Sequence, residues 1–337
     1  MTESDEHWFD PPEPEDLQDL PLPRADRRPL LDPAAWRAAE AGAAVPLARA
    51  ARALGQLDGM LAQWPAADRA GATARLALIE AEALSWAAGT PLGREDLSRD
   101  LMDAPAGADL EALRLGRWAV RRLQGRGRLD DLRDFLGLHA VADSRPVDGL
   151  RLTGRDFDGA VTEFAARLRA LEAAHPLTQA AYGCALWRLS GLSPEGDVVE
   201  SASWAARHMA AGALALAFAP LGAGGRRVWT ESGVPQDRLP RWYEAVGQGA
   251  AEACHQLQRL SAWADHARRV VSGFKGSNAA RVITALIAAP LVSAAEVAAQ
   301  TRVSRDTAER QLARMQGFGL VREVTGGARF RLWTAAA

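Results

Sequence analysis

The 337-residue sequence predicts a mainly α-helical protein, with a multi-helix N-terminal domain and a smaller C-terminal domain of three helices and a strand hairpin. Three observations carry this prediction. Apolar residues recur at helical spacing through residues 34–271, and no alternating strand pattern precedes residue 318. A stretch rich in Gly and Ser, residues 272–278, has the composition of a linker between the two domains.

Residues 1–33 predict a disordered, acidic and Pro-rich tail. They hold seven of the 18 prolines, and residues 1–20 carry eight acids without any Lys or Arg. Because Pro removes backbone donors and like charges repel, we expect no packed helix there. The acidic start is unlike a secretory signal, and the most apolar stretch, residues 209–223, is too short to span a bilayer. We therefore expect a cytoplasmic protein with no membrane contact.

Residues 34–271 form the predicted α-helical domain. Apolar residues that include Leu47, Leu54 and Leu61 recur with the 3.6-residue period of a helix, and this pattern ends before Pro65. Further helices are predicted at 76–88, 109–124, 153–174, 176–189, 201–219 and 241–271. Residues 220–240 contain Gly and Pro without apolar periodicity and predict an irregular loop.

Residues 279–335 form the predicted C-terminal domain. Ser293 and Glu296 have the spacing of a capping box, and Ser304 is placed to cap the helix after it. The predicted elements are helices at 279–289, 294–300 and 305–315 and strands at 320–324 and 329–333. This order of helix, helix, turn, helix and hairpin is typical of the winged helix-turn-helix domain.

The third helix of this domain has one apolar and one charged side. Val303, Ala308 and Leu312 are expected to pack inward, which leaves the arginines of the helix outside. The N-terminal part of such a helix meets base edges in the major groove, and basic side chains on the hairpin lie near phosphates. The predicted DNA contacts are Arg305, Thr307, Arg310 and Arg314 on the helix and Arg322, Arg329 and Arg331 on the hairpin.

The net charge of −2 conceals two opposed ends. Residues 1–20 carry −8, residues 21–266 carry −1 and residues 267–337 carry +7. This polarity favours double-stranded DNA as the partner of the C-terminal end. It also suggests the hypothesis that the tail, residues 1–33, competes with DNA for the basic face.

Residues 290–298, 303–312 and 319–326 resemble bacterial winged-helix DNA-binding domains. One departure from these domains is Arg302, at the turn position where they usually carry Gly. A positive φ at this position would strain Arg302, because it has a Cβ. Residues 76–138, together with the C-terminal domain, resemble an alphaproteobacterial family in which a helical domain of unknown function precedes a helix-turn-helix. The resemblance covers most of residues 45–335 and implies no established activity.

Residues 54–59 and 82–90 bear a more distant resemblance to Fic proteins, which transfer AMP and often pair a helical body with a C-terminal winged helix. Those proteins carry an inhibitory Glu where this chain has Ala88. Their catalytic motif combines His-Pro with a phosphate-binding nest. Here His175-Pro176 is followed by LTQAAYG, which lacks the Asn and Arg of such a nest. The resemblance implies that any nucleotidyl transfer has been lost.

We therefore expect a non-enzymatic DNA-binding protein that acts as a transcriptional regulator, in which the helical domain forms a homodimer or senses a partner. The alternative is a non-enzymatic protein-interaction scaffold derived from a degenerate Fic-like protein. No cofactor or metal is expected. The chain has two Cys, and His255 and His266 lie roughly 16 Å apart along one predicted helix, too far to chelate one ion.

Overall fold

The structure, a computed structural model, describes residues 28–138, 151–194, 196–229, 233–274, 276–325 and 331–337. The described residues are mainly helical, with one small three-stranded sheet, so the prediction of a mainly α-helical protein is confirmed. None of the helices in these ranges is both long enough and apolar enough to cross a membrane.

The helices and strands are numbered in chain order. The helices of the body, residues 28–271, are α1 (Arg28–Leu31), α2 (Pro33–Gly42), α3 (Ala44–Ala62), α4 (Ala66–Ala88), α5 (Arg94–Leu101), α6 (Leu110–Leu123), α7 (Leu132–Leu136), α8 (Gly154–Arg169), α9 (Pro176–Leu189), α10 (Val199–Met209) and α11 (Pro235–Val271). The C-terminal unit, residues 278–337, contains α12 (Asn278–Ala288), β1 (Val292–Ser293), α13 (Ala294–Thr301), α14 (Arg305–Gly317), β2 (Val321–Glu323) and β3 (Leu332–Ala335).

The body begins earlier than the predicted tail boundary at residue 33. Leu30 of α1 is buried, and its carbonyl accepts a hydrogen bond from Trp36 Nε1 at 3.1 Å. Asp32 caps α2 by accepting the Ala34 amide at 2.9 Å. The burial of Leu30 and Trp36 therefore overrides the composition of this segment, while residues 1–27 lie outside the described ranges.

The predicted helix at 201–219 is wrong beyond Met209, where α10 ends. The chain continues as an irregular segment whose amides at Leu214, Ala215 and Leu216 all donate to the Asp58 carboxylate of α3, at 2.8–2.9 Å. These bonds hold the pKa of Asp58 below its usual value, although burial acts in the opposite direction. A tertiary acceptor thus replaces the bonds that a continued helix would make.

The predicted loop at 220–240 is also partly wrong. Residues Gly222–Trp229 form 3₁₀ turns on either side of Gly225, and α11 starts at Pro235, six residues before the predicted start. Pro235 occupies the first turn, where a missing amide costs nothing. Leu239 is fully buried, so packing retains the helix although Pro240 lies inside it.

The C-terminal unit contains three helices and two strands in the predicted order and one short strand more. The second predicted strand, 329–333, is observed as Leu332–Ala335, and residues 329 and 330 lie outside the described ranges. Strand β3 lies between β1 and β2, antiparallel to both, and Trp333 pairs with Val292 on one side and Glu323 on the other. Trp333 is buried in a core shared by α12, α13, α14 and the last turns of α11. Trp263 of α11 joins this core and donates Nε1–H to the Leu320 carbonyl at 2.7 Å.

The C-terminal unit is docked on the body through the end of α12. The Arg75 guanidinium of α4 donates to the carbonyls of Ile287 at 2.7 Å and Ala289 at 2.6 Å, and to that of Leu286. Desolvation lowers the Arg75 pKa to about 10. The guanidinium thus caps the negative end of the α12 dipole from another part of the chain.

Two further contacts fix this docking. Arg99 of α5 donates to the Val324 carbonyl. At Gly71 of α4, an added Cβ would lie 2.2 Å from the Ile287 oxygen, so only Gly allows α4 and α12 to approach this closely. The body therefore holds the C-terminal unit through α4 and α5 as well as through residues 272–278.

Candidate nucleic-acid interface

The two helices α13 and α14 are set by local capping. Ser293 and Glu296 form the predicted capping box: Ser293 N donates to Glu296 Oε2 at 2.8 Å and Glu296 N donates to Ser293 Oγ at 3.2 Å. Ser304 caps α14 by accepting the Thr307 amide at 3.2 Å. These caps fix where each helix begins, and so which residues form the first turn of α14.

The turn between the helices has the predicted left-handed residue. Arg302 has φ 57° and ψ 43°, and the following amide, that of Val303, donates to the Ala298 carbonyl at 3.2 Å. This single left-handed residue ends α13 and turns the chain into α14. Gly is preferred at this position because it adopts the left-handed conformation without strain. Arg302 adopts the same conformation at a cost in free energy.

Helix α14 separates an apolar side from a charged side. Ala308, Leu312 and Met315 are buried against α12, α13 and the sheet. Its principal neighbours in the described chain are α13, α12 and β2, all within the C-terminal unit. The exposed charged residues of the helix are Asp306, Glu309, Arg310 and Arg314, and Arg305 is exposed at its first position.

Two of the predicted contact residues, Thr307 and Arg310, form one polar group with Ser304 at the start of α14. Thr307 is half-buried, and its Oγ1 lies 2.8 Å from Ser304 Oγ and accepts from Arg310 at 3.3 Å. Arg310 Nε also donates to the Asp306 carbonyl at 3.3 Å. Arg305 is exposed at the first position of the same turn. The structure therefore brings Arg305, Thr307 and Arg310 to one exposed end of the helix.

Arg314 lies at the other end of α14, in an aromatic contact that the sequence interpretation missed. Its guanidinium carbon is 3.5 Å from the ring centre of Phe274, and that ring lies 5.2 Å from the ring of Phe318. This geometry is a cation–π contact at a partly solvated site. A Phe inside the predicted linker was the available signal, since an apolar ring in a solvated linker needs a contact.

Of the predicted hairpin residues, the structure describes Arg322 and Arg331. Arg322 on β2 forms an ion pair with Glu95 of α5, at 2.7 Å, and so faces the body. Arg331 is exposed directly before β3. Arg329 lies outside the described residues. The structure thus groups Arg322 with the docking contacts, apart from the α14 residues.

No protein-family model matches the chain, and no curated protein matches it. Among solved structures it is similar to a Fic family protein from Desulfovibrio desulfuricans G20, with a TM-score of 0.47 and 11% identity. The similarity covers 86% of this chain and 96% of the other. A TM-score below 0.5 at this identity does not establish a shared fold or a shared activity.

Proposed function

We propose that the C-terminal unit is a winged helix-turn-helix domain that binds double-stranded DNA, and that the protein is a transcriptional regulator. The observation that carries the proposal is the exposed start of α14, where Arg305 is exposed at the first position and Arg310, exposed one turn later, donates to Thr307. A helix presented in this way inserts its first turns into the major groove, where Arg reads guanine and Thr reads bases or phosphates.

The arrangement of the rest of the domain supports this proposal. The left-handed turn at Arg302 sets α13 across α14, and β2 and β3 form the hairpin beside α14. Arg314 near the end of α14 and Arg331 directly before β3 are both exposed. We propose backbone contacts for these two residues, because guanidinium groups outside the groove pair with phosphates.

We also propose that the protein is not an enzyme. His175, the residue that the Fic-like motif would use as a base, is the N-cap of α9, and its Nδ1 accepts the Leu177 amide at 3.2 Å. Burial lowers the His175 pKa. Within the described ranges no group of three or more His, Cys, Asp or Glu side chains is placed to hold a metal ion.

The test compares two double variants in binding to a labelled duplex from the gene's own upstream region. Replacing Arg305 and Arg310 by Ala should weaken binding by roughly tenfold or more, since one base-reading Arg contributes about 1–3 kcal/mol. The matched control replaces Arg114 and Arg167, two helix arginines of the body that pair with Glu111 and Glu163. Equal loss in both double variants, measured by fluorescence anisotropy, would refute the proposal.

The second candidate is a non-enzymatic protein-interaction scaffold. One observation favours it: Arg322, predicted to reach DNA, is engaged with Glu95 within the chain. A scaffold predicts a partner complex that survives the Arg305→Ala/Arg310→Ala double variant. Pull-down with the wild type and this variant, followed by DNase treatment, separates a protein partner from one bridged by DNA.

A further inference from the structure

A cavity of about 500 Å³ lies in the body between α4, α11 and the segment that leads into the 3₁₀ turns. Its floor is apolar and includes Leu76 and Ile79 of α4 and Ala253 of α11. This volume falls within the range of roughly 300–1,000 Å³ that is usual for small-molecule sites. The cavity shares no residue with the α14 surface described above.

The wall of the cavity is held firmly in place. A Cβ at Gly249 would lie 2.3 Å from the Pro220 oxygen, and one at Gly222 would lie 2.3 Å from Ala83 Cβ. Glu80, fully buried in α4, accepts the amides of Leu221 at 2.9 Å and Gly222 at 3.0 Å. Segment 220–222 is therefore fixed between the two helices, and the cavity exists before any ligand enters.

The mouth of the cavity is acidic and aromatic. Glu82 and Glu252 line it, and Trp86 stands beside them with 61% of its surface exposed. Arg94 pairs with Glu82 at 2.6 Å, whereas Glu252 accepts a hydrogen bond from the neutral amide of Gln256. No described side chain of the lining is a Lys, Arg or His. The mouth thus presents carboxylate and indole groups, both of which favour a cation.

We propose that this cavity binds a small organic cation with an apolar body, of the class of aromatic or alkyl primary amines. The apolar part would displace water from the floor formed by Leu76, Ile79 and Ala253. The ammonium group would remain at the mouth, against the Glu252 carboxylate and the Trp86 ring. An anion of similar shape would meet the Glu252 carboxylate, which no described cation neutralises, and be repelled.

The test uses three probes of one shape and different charge: 1-naphthylmethylammonium, 1-naphthylmethanol and 1-naphthylacetate. Isothermal titration calorimetry with the full-length protein should rank the cation first and the anion last. Because DNA is absent from the titration, its outcome is independent of the proposed DNA binding.

Two variants locate the site. Glu252→Gln should weaken the cation about threefold and leave the neutral alcohol unchanged, as expected for a solvated ion pair. Its matched control is Glu244→Gln, two turns earlier on α11, where Gln248 donates to Glu244 in the same way but outside the cavity. Trp86→Ala should weaken the cation roughly two- to fivefold through loss of the aromatic contact.

The proposal is overturned if none of the three probes binds or if all three bind equally. It is also overturned if cation binding is the same in wild type, Glu252→Gln and Trp86→Ala. Circular dichroism checks that each variant is folded, and Trp86 and Glu252 are both exposed, so neither change removes a buried group.

Discussion

Among single residues, Glu80 is the buried acid with the clearest energetic consequence. Burial raises its pKa from the ordinary 4.5 to about 7, although two backbone amides stabilise its charged form. An apolar stripe through Leu76, Ile79 and Ala83 contains this acid, so the sequence showed a charged residue in a core position. It could not show the amides of Leu221 and Gly222, which come from a distant segment.

We predict that Glu80 makes the stability of the fold depend on pH. Below pH 4.5 the carboxyl is protonated in the folded and unfolded states alike. Between pH 4.5 and about 7 the folded state holds the proton and the unfolded state does not, so the free energy of unfolding falls as pH rises. The fall is about 1 kcal/mol per pH unit and levels off above pH 7.

Urea unfolding of the wild type and of Glu80→Gln at several pH values measures this effect. The variant lacks the titrating group, so the difference in stability between the two proteins should change across pH 5–7. Parallel curves over that range would contradict the prediction.

The turn between α13 and α14 shows which features of a helix boundary are determined by neighbouring residues. Both caps, at Ser293 and Ser304, and the left-handed conformation of Arg302 follow from residues within a few positions. The end of α10 at Met209 does not, because Asp58 lies far away in the chain. Local hydrogen bonding was therefore predictable, and tertiary capture of backbone amides was not.

Arg302→Gly should stabilise the protein relative to Arg302→Ala by about 1 kcal/mol. The left-handed region costs a residue with a Cβ roughly 1–2 kcal/mol, and the greater freedom of Gly in the unfolded chain offsets part of the gain. Both variants remove the guanidinium, so their difference isolates the backbone. Equal midpoints of urea unfolding for the two variants would show that φ 57° carries no strain here.

The contact between α4 and α12 joins residues that lie more than 200 positions apart in the chain. Arg75 places a cation among the last carbonyls of α12. Arg75 lies directly before the predicted helix at 76–88, and the sequence around it does not indicate that its partner is α12. The same holds for Arg322: the sequence predicted its strand correctly, but not that α5 would bring Glu95 to within 2.7 Å.

We predict that Arg75→Ala destabilises the protein by about 2–4 kcal/mol, because it leaves buried carbonyls without a donor. Arg75→Lys should recover only part of this, since an ammonium cannot reproduce the guanidinium fork. Arg69→Ala on the same helix is the control. Chemical unfolding of the three variants measures the losses, and a similar loss for Arg69→Ala and Arg75→Ala would argue against the docking role.

Across the whole molecule, the acidic N-terminal end and the basic C-terminal end are the dominant electrostatic feature. Residues 1–20 carry eight acids and residues 267–337 a net +7. If the acidic end competes with DNA, deleting residues 1–20 should tighten DNA binding roughly three- to tenfold at low salt. A full-length variant with these eight acids changed to Asn and Gln should behave like the deletion. Unchanged affinity in both proteins would dismiss competition by the tail.

The salt dependence of DNA binding tests the central claim most directly. Fluorescence anisotropy with the upstream duplex should show binding by the wild type that weakens roughly 10²-fold between 50 and 200 mM salt, as about four phosphate contacts require. The Arg305→Ala/Arg310→Ala variant should bind more weakly at every salt concentration. Absence of salt-sensitive binding to the upstream duplex and to a random duplex would contradict the assignment of α14 as a DNA-binding helix.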